Sequence, residues 1–143
     1  MKPMHTWYWF ATAVLAGAAC QSAIASPDPL PAIHQAGPVT YLSGGVGLDE
    51  SQAIKQAMPD YPLVLEFSGK TQYGNEYLAA VPVTIVDAHD KTVLQTAANG
   101  PFLLARLPAG RYTVAATYQD KTERRTIDVT PHGHVREFFL WQM

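Results

Sequence analysis

From residue 61 onward the apolar positions of the chain recur every second residue. Tyr61, Leu63, Leu65 and Phe67 are interleaved with Pro62, Val64, Glu66 and Ser68, while Val81, Val83 and Ile85 are interleaved with Pro82, Thr84 and Val86. Tyr112, Val114, Ala116 and Tyr118 repeat the pattern, and Ile127 and Val129 follow it. A period of two belongs to strands with one face turned inward. Turn residues punctuate the runs: Asp87-Ala88-His89-Asp90, Asn99-Gly100-Pro101, Leu107-Pro108-Ala109-Gly110 and Gln119-Asp120-Lys121. Strands are therefore predicted over 38–42, 61–68, 81–86, 91–96, 102–107, 112–118, 122–130 and 135–141. Short strands at a spacing of roughly ten residues predict a mainly β protein, a seven- to eight-stranded antiparallel sandwich with one short helix.

That helix is predicted over Asp49 to Met58. Asp49 as N-cap with Gln52 three residues on makes a capping box, and Leu48 with Ala53 suits a hydrophobic staple. Ile54, Ala57 and Met58 share one face, and Pro59 ends the element. The last predicted strand departs from alternation, because after Glu137 the run Phe138-Phe139-Leu140-Trp141 is apolar on both faces. Two explanations compete: the helix covers the second face, which the need of a short helix to dock favours, or Phe138 and Leu140 form a surface for a partner.

The N-terminal part is of a different kind. Lys2 precedes the apolar run Trp7 to Ala19 and the small-x-small triplet Ala23-Ile24-Ala25, the signature of a secretory signal peptide over 1–25 with cleavage near Ala25. The run is shorter than the ~20 residues a spanning helix needs. A periplasmic or secreted protein is expected, not an integral membrane protein. The single cysteine, Cys20, falls inside the leader; as a lipidated first residue it would instead mark a lipoprotein, a minor alternative because Gly17 stands where such signals carry a large aliphatic residue. Residues 26–37, with Pro27, Pro29 and Pro31, are expected to form an extended, poorly packed arm, and 38–143 a single sandwich domain. Without the leader nine basic residues face twelve acidic ones, with no charge runs, which disfavours nucleic acid and anionic membranes as partners.

Two segments invite a chemical reading. His132 and His134, expected at the start of the last strand and so on one face, suit a shared transition metal, with His34, His89 or a carboxylate needed to complete the site; because two ligands leave it incomplete, two solvated turn histidines after Pro131 are the favoured reading. Ser43-Gly44-Gly45-Val46-Gly47 before the helix resembles a phosphate cradle. Asp49 and Glu50 occupy the positive end of that helix, however, so a backbone crossing or bend is expected there. No nucleophile-base motif appears, and neither an enzymatic activity nor a cofactor is expected.

The segment Asn99-Gly100, Phe102, Leu107-Pro108-Ala109-Gly110 and Tyr112-Thr113-Val114, read as a β-hairpin, resembles the carboxypeptidase regulatory-like, or transthyretin-like, domain. Val81-Pro82-Val83-Thr84-Ile85 resembles the preceding strand of that family, and the likeness runs from about Leu63 to Val129. The resemblance implies a prealbumin-like sandwich acting as a non-catalytic accessory module of the bacterial cell envelope, with an envelope protein as partner. The hydroxyisourate hydrolases, enzymatic relatives, carry a Tyr-Arg-Gly-Ser tail. Here the corresponding residues are Phe138-Phe139-Leu140-Trp141-Gln142-Met143, so their reaction is not implied.

Overall fold

The computed structural model describes residues 29–143; the leader read over 1–25, with Cys20, lies outside them. Ten strands form two layers. The first sheet holds β1 (His34–Ala36), β2 (Val39–Gly44), β7 (Phe102–Arg106), β3 (Leu63–Thr71) and β10 (Val135–Gln142) in that order, with β4 (Gly74–Tyr77) also paired to β3. The second holds β6 (Thr92–Ala98), β5 (Val81–Asp87), β8 (Gly110–Tyr118) and β9 (Lys121–Val129). The helix α1 (Leu48–Ala57) and a 3₁₀ turn, Met58–Asp60, link β2 to β3.

The mainly β sandwich and its short helix match the sequence reading. The two extra strands come from segments expected to be irregular: β1 from the proline-rich arm and β4 from the loop after Ser68. Leu30 of the same arm packs on the core, so the described part of the arm is docked. The sheets are not wholly antiparallel. β10 runs parallel to β3, Val135 beside Leu63 through Gln142 beside Lys70. The chain leaves β9 in one layer and enters β10 in the other, and such a crossover permits either direction, whereas a tight hairpin permits one.

The same logic corrects the reading of 99–114 as a hairpin. β7 pairs with β2 and β3, while β8 pairs with β5 and β9. Leu107-Pro108-Ala109 is thus an arch between layers. The Tyr112 hydroxyl donates to the Pro108 carbonyl at 2.6 Å and holds it. Burial raises the pKa of this phenol, and the nearby Asp87 charge adds to the rise. Neither glycine of the motif has a positive φ. Gly100 is required for another reason, because a Cβ there would strike the backbone of Gly44.

Alternation places the main core between the layers. Leu63, Leu65, Phe67, Leu103, Phe139 and Trp141 meet Val81, Val83, Ile85, Tyr112, Val114, Ile127 and Val129. A second core lies on the outer face of the six-stranded sheet, where Ile54, Ala57 and Met58 of the helical segment cover Leu42, Val64, Phe102 and Leu104. The helix starts differently from expectation. Its N-cap is Gly47, with φ 91°, and no side chain caps it. Glu50, three residues on, reaches back past the N-cap to accept the Gly45 N–H at 2.7 Å, which ties the preceding loop to the helix and does not make a capping box. Leu48 is 72% exposed and forms no staple. The glycine run is the expected backbone crossing: a Cβ on Gly45 would meet the Phe102 ring, and one on Gly44 would meet Glu50 and Pro31.

Candidate functional site

The helix covers the outer sheet face over β2, β7 and the first half of β3, and stops short of β10. The favoured expectation, that it shields the second face of the last strand, is therefore wrong. Its ten residues follow β2 directly and reach only the near side of the sheet. Phe138 is left 43% exposed and Leu140 half-buried.

The register builds the uncovered face row by row. Glu66 of β3 has Phe102 on one side and Phe138 on the other. Two residues on, Ser68 lies between Tyr77 of β4 and Leu140 of β10. Strand alternation turns all six toward the outer face, because Val64, Glu66 and Ser68 are the outward set of β3. The Tyr77 and Phe102 ring centroids are 5.8 Å apart, and Tyr77 is 58% exposed. The result is an apolar strip, Tyr77, Phe138 and Leu140, over a polar floor. The Glu66 side chain, only 9% exposed, accepts a charge-assisted hydrogen bond at 2.7 Å from Nη2 of Arg136, which covers it from the rim. The arrangement offers side-chain area around one fixed ion pair, the chemistry of a contact surface.

β10 is also the outer strand of its sheet. The Val135 N–H donates to the Pro62 carbonyl and the Met143 N–H to that of Lys70. Alternation then turns the main-chain groups of Arg136, Phe138 and Leu140 away from β3, toward the open edge. Side chains alone tie this edge to the other layer. Nε1 of Trp141 donates to the Lys121 carbonyl at 3.0 Å. Arg125 sits over the Phe139 ring, 3.4 Å from a Glu123 oxygen and 3.9 Å from one of Glu137.

His132 and His134 do not occupy the strand. β10 begins at Val135, and both residues belong to the connection from β9, so strand alternation does not put them on one face. The Nδ1 of His134 is hydrogen-bonded to the Tyr61 carbonyl at 2.8 Å. His132 instead lines a shallow groove of about 340 Å³ with Pro59, Tyr61, Pro62 and Arg106. His34 is in β1 and His89 in the β5–β6 turn, and among the described residues no three His, Cys, Asp or Glu side chains come together as a metal site. No described helix is long and apolar enough to cross a membrane.

Tyr77, Glu66, Ser68 and Arg136 were not singled out by the sequence pattern as part of a surface. Glu66 and Ser68 did carry a signal: they are the two polar residues of the stretch from Leu63 to Gly69, which is otherwise without polar side chains on either face. No family model matches the chain, and neither does any curated protein.

Proposed function

We propose that the chain is a non-catalytic, exported β-sandwich of the bacterial cell envelope that binds a protein partner on the outer face of its six-stranded sheet. The observation that carries this reading is the uncovered strip beside the helix: Phe138 and Tyr77 exposed, Leu140 half-buried, and the Glu66–Arg136 pair between Phe138 and the helix-covered Phe102. Aromatic residues around a buried carboxylate held by an exposed arginine make the kind of patch from which binding energy is drawn. The leader-like N-terminus and the resemblance of the 99–114 segment to transthyretin-like accessory modules support the same reading.

The test is photo-cross-linking in cells, with a photoreactive phenylalanine at Tyr77 and, as control, at Thr84 on the outer face of the other sheet. A discrete adduct to a second protein from Tyr77 and none from Thr84 is expected. Equal adducts from both positions, or none from Tyr77, would overturn the reading.

A further inference from the structure

The helix lies on the six-stranded sheet, and the outer face of the four-stranded one carries a hollow of about 460 Å³, a size that suits a small molecule. The register explains where it forms. Thr84, Ala115 and Arg124 make one row across β5, β8 and β9. Ala115 offers only a methyl group between two longer side chains, and Val86, beside Thr113 in the next row, continues the apolar floor toward the β5–β6 turn. Asp90 closes the hollow from that turn.

Two opposite charges line this hollow, and neither is used by the fold. Of the five arginines of the chain, Arg111, Arg125 and Arg136 pair with carboxylates, and Arg106 stacks on the Tyr61 ring. The Arg124 guanidinium alone has no ion pair, ring contact or hydrogen bond among the described residues. In the turn, Asp87 does the internal bonding: its carboxylate accepts the His89 and Lys91 N–H groups at 2.8 and 3.0 Å. Asp90, held at φ 59°, keeps its carboxylate free among the described residues. Nor do Asp90 and Arg124 pair with each other. Arg124 stands two strands, about 10 Å, across from Thr84, and the turn begins about 10 Å along from it, so the two corners are about 14 Å apart at the backbone. Threonine hydroxyls occupy the ground between. Those of Thr117 and Thr122 bond to each other at 2.8 Å, and those of Thr84 and Thr113 are uncommitted.

A ligand of one charge meets a like charge at one corner, and an apolar ligand strips water from both. A molecule with separated charges of both signs is the complement. We propose that the hollow binds a short zwitterionic peptide, its terminal carboxylate in a bidentate pair with Arg124, its ammonium on Asp90 and its amides against the threonine hydroxyls. Length sets the class. The charges of a single amino acid sit on one carbon and cannot serve both corners, whereas an extended dipeptide or tripeptide, at up to about 3.6 Å per residue, spans about 7–10 Å of the gap that the two side chains leave. Small side chains suit the floor of Ala115 and Val86. The site goes beyond the proposed partner strip, which lies on the other sheet, and a ligand of this size leaves no protein adduct at Thr84.

The experiment is a titration of the isotope-labelled full chain, as the cell produces it, with alanyl-alanine and with trialanine, read by amide chemical shifts. Saturable shifts are expected at Thr84, Thr113, Ala115 and Arg124 with a dissociation constant below about 1 mM, and none at Tyr77, Phe138 or Leu140. Arg124→Gln and, separately, Asp90→Asn each remove one charge, and asparagine tolerates the positive φ. Each should weaken binding at least about tenfold while the melting temperature stays near that of the wild type. N-acetyl-alanyl-alanine amide, which carries neither terminal charge, should give no saturable shift. An absence of saturable shifts with both peptides, equal binding of the blocked peptide, or indifference to either substitution would each overturn the proposal. The Tyr77 adduct bears on the partner reading alone, so either can fail while the other stands.

Discussion

Tyr112 ties the arch between the layers to the strand that follows it, through one hydrogen bond from its hydroxyl to Pro108. Tyr112→Phe keeps the buried ring and removes that bond, so a loss of about 1 kcal/mol is expected by denaturant titration. The phenol also links stability to pH. Burial, and secondarily the charge of Asp87, raise its pKa in the folded state. Its contribution is therefore complete below the ordinary phenol value and is lost as pH climbs through the higher folded one. The alkaline limb of a stability profile should be steeper for the wild type than for Tyr112→Phe, and identical limbs would contradict the assignment. Asp87 shows the opposite sense. Its carboxylate accepts the backbone N–H groups of Lys91 and His89, and chiefly the former holds its pKa below the usual range.

At the scale of elements, the inward and outward sets of each strand were legible from alternation alone, as Leu63, Leu65 and Phe67 against Val64, Glu66 and Ser68 show. Which strands pair was less legible. A three-residue connection between β7 and β8 suits a hairpin and an arch equally, and only their other neighbours, β2 and β3 against β5 and β9, decide between them. The glycines make the same point. Gly100 and Gly110 look alike in sequence as turn residues, yet the first lies against the Gly44 backbone and the second has only ordinary contacts with the Tyr112 ring. Gly100→Ala should cost about 1–3 kcal/mol, and Gly110→Ala should stay within about 0.5 kcal/mol. Parallel urea titrations check both. The uncovered strip was half legible: Phe138 and Leu140 announce themselves by breaking alternation, whereas Tyr77 reaches them only because β4 folds back on β3 beside Ser68.

For the whole molecule, the six-stranded sheet is shared between two cores, with β3 buried on both sides from Leu63 to Gly69. The helix is too short to persist alone and holds its shape by resting on that sheet. Ile54→Ala, in the smaller core, should therefore destabilise the entire domain, by about 2–5 kcal/mol. Its unfolding should remain a single transition, with tryptophan fluorescence and far-ultraviolet dichroism superimposing. A separate early loss of the helical signal would show the two cores to be independent.

The parallel seat of β10 beside β3 has a consequence in time. β3, buried on both faces, waits for a neighbour that is synthesised some seventy residues later, and Phe139 and Trp141, which fill the middle of the sandwich, arrive with it. Until that segment is free to dock, the nascent chain lacks the piece that seals its interior. Closure of the sandwich is therefore deferred until β10 has been made, and the strands before it stay pliable for that long.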